Sequence, residues 1–174
     1  MCGRFALDYK PGKLAGYFHL SAALDFAPAW NIAPSSRICT ITTGLRGGRH
    51  MHKKRWGLIP SWAKEAAAGN KLANARGETV AEKPSFKHAF KSRRCIIPVS
   101  SFYEWETEKG VKYPWFISLK SGKPMAMAGL WERWQPRDEK GQGKAIETCC
   151  IITTGPNAVM EPIHDSLLSL LYRV

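Results

Sequence analysis

Five short runs set the limits on what this chain can become: residues 37–43, 94–99, 114–119, 125–130 and 146–154. Several are rich in β-branched residues and bounded by Gly or Pro, a pattern that predicts strands. Polar stretches at 106–112 and 135–144 read as the loops between them. Helical signals are few and short. Ser61 reads as the N-cap of a helix running through Ala68 and closed by Gly69, and Pro84 as the first residue of another that turns Phe86, Ala89 and Phe90 inward. An early helix over residues 13–20 places Leu14, Tyr17 and Phe18 on one face. The mixture predicts an α+β fold, mainly antiparallel β, with a curved sheet or barrel-like core and a few short helices. No repeat, low-complexity tract or linker divides the chain. A length of 174 residues suits one hydrophobic core, so residues 1–174 are expected to form a single domain.

Nothing in the sequence approaches the ~20 apolar residues that a membrane span needs. The opening MCGRFALDYK lacks a basic region followed by an apolar run, so it does not read as a secretory signal and a cytoplasmic location is expected. The five cysteines, Cys2, Cys39, Cys95, Cys149 and Cys150, are odd in number and none is paired at C-x-x-C spacing. Neither a disulfide framework nor a metal site is expected, and no cofactor is implied. Adjacent Cys149 and Cys150 should point to opposite faces of a strand. Charge gives the first functional hint: 26 Lys and Arg against 14 Asp and Glu leave a net charge of +12, which favours a polyanionic partner. Aromatic residues interleave with the cations in segments such as KKRWGLIPSWAK. That combination suits single-stranded nucleic acid, where bases stack on rings while cations track phosphates.

Cys2 is the most unusual position. Removal of Met1 leaves a chain that begins with an amine and a thiol on adjacent carbons, and that pair is a reagent for aldehydes. The α-amine titrates near ~8, so part of it is neutral and nucleophilic at cellular pH, whereas a lysine near ~10.4 is almost wholly protonated. The amine forms an imine with the aldehyde, and the thiol closes on it to give a five-membered thiazolidine. Around it, Gly3 lets the backbone approach a ligand, Arg4 supplies a cation, and Phe5 anchors the terminus.

MCGRF at the start, then WNIAPSS, RWGLIPSWA, NARGET, RRCIIPVSSFYEW, AGLWERW and a segment ending in PIHD at His164-Asp165 follow one another along the chain. In that order they resemble the SOS response-associated peptidase family. The resemblance implies an abasic-site sensor that cleaves off its own first methionine, binds single-stranded DNA and crosslinks to it through the exposed cysteine. It also implies a compact, mostly β fold with a basic, aromatic-lined channel. By the same resemblance Cys2 is the nucleophile and Asn74 holds its α-amine through an amide oxygen. Glu104 is the catalytic glutamate, expected in a partly apolar pocket that suits it to proton shuttling. His164 is the catalytic histidine, able to protonate the sugar ring oxygen and open the closed sugar to its aldehyde. Arg4 and Arg76 match positions that hold phosphates flanking the lesion, contacts that position DNA without reading sequence. Pro34 and Trp62 match loop residues along the DNA path, where a wedge interrupts stacking, and Thr153 matches a position near the bound strand. The other six tryptophans are expected to be core residues.

Two departures from the family stand out. After Asp165 the family continues with an arginine, whereas here Ser166 takes its place and the apolar SLLSLLYRV follows. That segment reads as a tail left by truncation or a changed reading frame, with part of the family's C-terminal portion missing. Pro84 stands where some members carry an arginine facing DNA. Two other functions stay open on the sequence: a non-covalent single-strand binding module, and an amidohydrolase using Cys2 with its own amine as base. The partner common to the first two readings is single-stranded DNA. No membrane and no obligate protein partner are indicated.

Overall fold

The computed structural model describes residues 3–136, 143–164 and 167–170. Among the described residues, eleven strands and two short α-helices follow in the order β1 Arg4–Leu7, α1 Pro11–Tyr17, β2 Ala29–Ile32, β3 Arg37–Thr43, β4 Arg49–Trp56, β5 Asn74–Arg76, α2 Lys87–Ser92, β6 Arg94–Val99, β7 Ser101–Glu108, β8 Val111–Ser118, β9 Met125–Trp134, β10 Ile146–Thr154 and β11 Leu167–Leu168. The strands form two sheets. In the larger, β4, β3, β6, β9 and β10 close into a barrel, because β10 pairs antiparallel with β9 on one side and parallel with β4 on the other. The second is a four-stranded sheet in the order β2-β1-β7-β8. The expected mostly antiparallel, barrel-like fold with few helices is what forms.

Alternation along the barrel strands explains the core. Ile38, Trp56, Ile97, Met127, Cys149 and Ile151 belong to one buried cluster, and the strand pairing puts them on one face, the barrel interior. Residues of opposite parity face outward under the helices: Ile41 and Met51 beneath Leu14 and Phe18 at α1, Leu130 and Cys150 beneath Phe86 and Ala89 at α2. Cys149 and Cys150 therefore do fall on opposite faces, and both are buried. A strand buried on both sides in this way reads as an unbroken apolar run. Phe5 of β1 and Phe102 of β7 enter the interior cluster from the second sheet, with the Phe5 and Trp56 ring centroids 5.2 Å apart.

Several local expectations shift. Residues 114–119 belong to a longer hairpin, because Lys109 and Gly110 both take positive φ (50° and 80°) and make the tight two-residue turn that joins β7 to β8. The stretch 106–112 is thus mostly strand. Strand 125–130 continues to Trp134. Of the loop expected at 135–144, residues 137–142 lie outside the described residues.

No helix starts at Ser61. Residues 61–65 turn, and a 3-10 helix, Ala66–Lys71, follows. Tertiary packing decides this: Gly57 and Gly69 press backbone to backbone, so that a Cβ at either would lie 2.6 Å from the other's carbonyl oxygen. The helix expected from Pro84 begins at Lys87, with Pro84 and Ser85 in the preceding turn, although Phe86 and Ala89 are buried as the pattern required. Helix α1 starts earlier than expected because Pro11 fits its first turn, and Tyr17 faces outward rather than sharing the buried face of Leu14 and Phe18.

Of the C-terminal segment, residues 167–170 are described, and they join the barrel. β11 pairs antiparallel with β10 (Thr153↔Leu168), Leu170 bridges to Met127, and Leu168 is buried in the interior cluster. Among the described residues no helix is long and apolar enough to cross a membrane, and no group of three or more His, Cys, Asp or Glu is placed to hold a metal ion.

Candidate functional site

Where the four-stranded sheet meets the barrel, residues from distant parts of the chain converge. Glu104 lies on β7 two residues beyond Phe102, and strand alternation sends both side chains to the barrel side. The carboxylate is 1% exposed. His164 reaches it from the far end of the chain, Nε2 standing 3.9 Å from Glu104 Oε2. The segment that delivers His164 is a compact turn: Asn157 Oδ1 accepts the N–H groups of Val159 and Met160, Met160 is buried, and the His164 N–H donates to the Met160 carbonyl at 2.9 Å. Such an anchor fixes the imidazole more firmly than an open loop does.

Asn74 opens β5, which runs parallel to β10 with Asn74 opposite Ile151. The carbonyl before it, Ala73 O, accepts both the indole N–H of Trp56 at 2.8 Å and the N–H of Ile151 at 3.0 Å. This pins the start of β5 to the barrel rim. Ala73, Phe102 and Ile163, the immediate supports of Asn74, Glu104 and His164, all pack on the interior cluster that also holds Phe5. A common hydrophobic foundation thus carries three polar side chains separated by up to 90 positions in sequence (164 − 74).

Cys2 lies outside the described residues. β1 begins at Arg4 and pairs with β7 through Phe5↔Phe102 and Arg4↔Tyr103, so the first strand starts beside Tyr103, the chain neighbour of Glu104. A Cβ at Gly3 would meet no protein atom within 4 Å, so packing of the protein on itself does not call for glycine there. The other four cysteines are free thiols and buried. Burial pushes the Cys39 thiol up to about 11 and Cys95 up to about 12, and raises Cys149 and Cys150 further. A thiol must ionise to act as a nucleophile, so these four are held inert at cellular pH.

The expected DNA-contacting residues occupy different settings. Arg4 is exposed, and its Nη1 donates to Asn31 Oδ1 at 2.7 Å. Arg76 is exposed two positions beyond Asn74 on the same face of β5, the intervening Ala75 being buried. Pro34 is exposed in the loop before β3, which is tied down where the Ser35 N–H meets the Trp56 carbonyl at 2.7 Å. Trp62 is 55% exposed on a turn whose neighbour Ala63 is buried and accepts the Trp134 indole N–H at 2.8 Å. Thr153 is buried; its hydroxyl donates to the Ala75 carbonyl at 3.5 Å and its own carbonyl accepts the Gly77 N–H at 2.7 Å. Its side chain braces β5 behind Arg76 rather than facing solvent.

The tryptophans correct one expectation. Trp56 and Trp134 are core residues, but Trp30 and Trp115 are 58% and 46% exposed. The signal was present in β8, where Trp115 and Phe116 are adjacent: neighbours on a strand point to opposite faces, and an edge strand cannot bury both.

Comparison with known proteins agrees with this architecture. The family model described as SOS response associated peptidase (SRAP) matches residues 1–171, and so takes in the first six residues of the segment that reads from the sequence as a departure. The chain is 44% identical to the abasic site processing protein YoqW of Bacillus subtilis (strain 168), over 98% of this chain and 76% of that one. It is 32% identical to the abasic site processing protein HMCES of Xenopus tropicalis, over 67% of this chain and 40% of that one. A crystal structure of a Bacteroides thetaiotaomicron protein, 26% identical, superposes with a TM-score of 0.88 over 99% of this chain and 78% of the other. The chain therefore belongs to the SOS response associated peptidase family.

Proposed function

We propose that this protein recognises abasic sites in single-stranded DNA and captures them covalently through Cys2. Hydrolysis of the Met1–Cys2 peptide bond frees the α-amine. The amine adds to the C1′ aldehyde of the opened sugar, water leaves to give an imine, and the thiol sulfur adds to the imine carbon while its proton passes to nitrogen, closing the thiazolidine. In this scheme the Asn74 amide oxygen accepts a hydrogen bond from the α-amine, His164 delivers a proton to the sugar ring oxygen as it opens, and Glu104 relays protons for cleavage and imine formation. Arg4 and Arg76 hold flanking phosphates, Pro34 and Trp62 wedge the strand open, and Thr153 supports the β5 edge along which it runs. The protein acts in the cytoplasm, on the nucleoid when DNA-bound.

The single observation that carries this reading is the convergence of Glu104 and His164, 3.9 Å apart, with Glu104 next in β7 to Tyr103, the partner of Arg4 at the start of β1. The names of the relatives point the same way, as does the burial of the four other thiols, which leaves Cys2 without a competitor in the chemistry. Incubation with a single-stranded oligonucleotide carrying one abasic site, followed by denaturing electrophoresis and mass analysis of the N-terminal peptide, tests it. The expected product is a denaturation-resistant adduct on a chain lacking Met1. A chain that keeps Met1, or a Cys2→Ala variant that still forms the adduct, overturns the proposal.

A further inference from the structure

The four-stranded sheet has two faces of opposite character, and strand alternation sorts them. On the barrel side β7 carries Glu104, Glu106 and Glu108 at every second position. On the other side the alternate positions of β1, β7 and β8 carry Arg4 and Lys112 and no carboxylate. Across this second face runs a row set by register: Arg4 on β1, Tyr103 on β7 and Phe116 on β8. Tyr103 and Phe116 meet edge to face with centroids 5.3 Å apart. The Tyr103 hydroxyl donates to the Trp30 carbonyl at 3.0 Å, which ties the edge strand β2 and its exposed indole to the same row. Phe116 is 52% exposed.

From this we infer that the outer face of the sheet is a stacking platform for single-stranded nucleic acid, with Phe116 at its centre and the exposed Trp30 at the β2 edge carrying unpaired bases beyond the nucleotide whose phosphate Arg4 holds. The inference rests on the proposed phosphate contact of Arg4 and extends it to a binding surface that the catalytic residues do not touch. Three observations select this occupant. Aromatic rings on an exposed sheet face beside a cation suit unpaired bases, which stack on rings whatever their sequence. The outer face offers Arg4 and Lys112 and no carboxylate at the alternate positions of β1, β7 and β8, which suits a polyanion. A protein strand adding to the β8 edge is disfavoured, because Pro114 in mid-strand has no N–H to offer a partner.

The test is fluorescence anisotropy with the full chain and an undamaged, labelled oligothymidine of about fifteen nucleotides, run on the wild type and on Trp30→Ala, Phe116→Ala, Phe116→Tyr and Trp115→Ala, with far-UV circular dichroism to confirm folding. Each alanine on the outer face is expected to raise Kd about tenfold, Phe116→Tyr to restore it, and Trp115→Ala, on the carboxylate face, to leave it within about twofold. Unchanged Kd in folded Trp30→Ala and Phe116→Ala, or a loss confined to Trp115→Ala, overturns the platform. The covalent reading fails separately: wild-type protein that binds the oligonucleotide but forms no adduct with abasic DNA overturns that reading and leaves the platform standing. Wild-type protein that binds no single strand overturns both.

Discussion

The barrel and the four-stranded sheet are built from the same kind of strand and put to opposite uses. Much of the barrel is covered on both faces, by the interior cluster on one side and by α1 and α2 on the other, so its reactive groups are shut in: four thiols are buried, and Lys54 is buried beside Glu147 at 2.6 Å and 4.5 Å from the Trp131 ring centre. The sheet is covered only where Phe5 and Phe102 meet the barrel, and its edge strands leave Trp30, Val111, Tyr113, Trp115 and Phe116 in solvent. The difference separates roles. The barrel supplies a rigid rim, the sheet supplies surface, and Glu104 and His164 sit at the seam between them.

Perturbing the seam should remove chemistry and leave the fold intact. Cys2→Ala is expected to give no adduct with abasic single-stranded DNA, as read by denaturing electrophoresis. Glu104→Gln keeps the shape of the side chain and removes its capacity to relay protons, and a rate loss of about 10²–10⁴ is expected in single-turnover adduct formation. Equal rates for Glu104→Gln and wild type would place the proton relay elsewhere and break the distinction between seam and scaffold.

Thiol reactivity compares the two regions directly. At pH 8 a thiol pushed to about 11 carries about a thousandth of its population as thiolate. Iodoacetamide should therefore modify Cys2 rapidly and Cys39, Cys95, Cys149 and Cys150 hundreds of times more slowly, by about that factor, with labelling of the four rising steeply only on unfolding. The measurement is peptide mass mapping over time. Fast labelling of Cys149 or Cys150 in native protein would mean that the barrel opens readily.

Perturbing the barrel should do the reverse. Met127 is fully buried in the interior cluster, and Met127→Ala is expected to cost about 2–5 kcal/mol. For a chain of this size that lowers Tm by roughly 4–20 °C, while adduct formation measured well below Tm proceeds at the wild-type rate. A matching drop in rate would show that the rim and the seam are not separable.

How much of this was legible beforehand follows from the same contrast. Strands β3, β6 and β10 could be bounded from sequence because each is apolar and β-branched over its whole length, as burial on both faces demands. β4, RHMHKKRW, could not: it carries six cations and histidines at 49–50 and 52–55, and is a strand because Met51, Lys54 and Trp56 are drawn in by tertiary contacts. The helix expected at Ser61 failed for the same kind of reason, since the Gly57–Gly69 contact overrides local helix signals. Within the site, Asn74, Glu104 and His164 were picked out by resemblance alone. The approach of His164 to Glu104 depends on the turn at 157–164, and the place of Asn74 on β5 pairing with β10, neither of which has a local periodicity to read. The exposed platform of Trp30 and Phe116 was missed because a tryptophan in isolation reads as core.

The smallest expected effect concerns an ion pair, Lys54–Glu147, that runs from the barrel's interior to water. The hydrogen bond from Lys54 holds the Glu147 carboxyl below its ordinary value, with burial opposing the shift. A carboxylate with a depressed folded-state value contributes stability above its unfolded value near 4.5, and that contribution is lost as pH falls through the lower folded value. Glu147 is 44% exposed on its side chain while Lys54 is 3%, so solvent screens the pair from one end and its worth is on the order of 1 kcal/mol rather than that of a fully buried pair. Glu147→Gln should therefore lower Tm at pH 7 by about 2–4 °C and shrink the difference from wild type as the pH is taken below about 4.5. A difference that persists unchanged in acid would assign the effect to packing around Trp131 instead of to charge, and would make the barrel's interior as indifferent to protons as its four buried thiols.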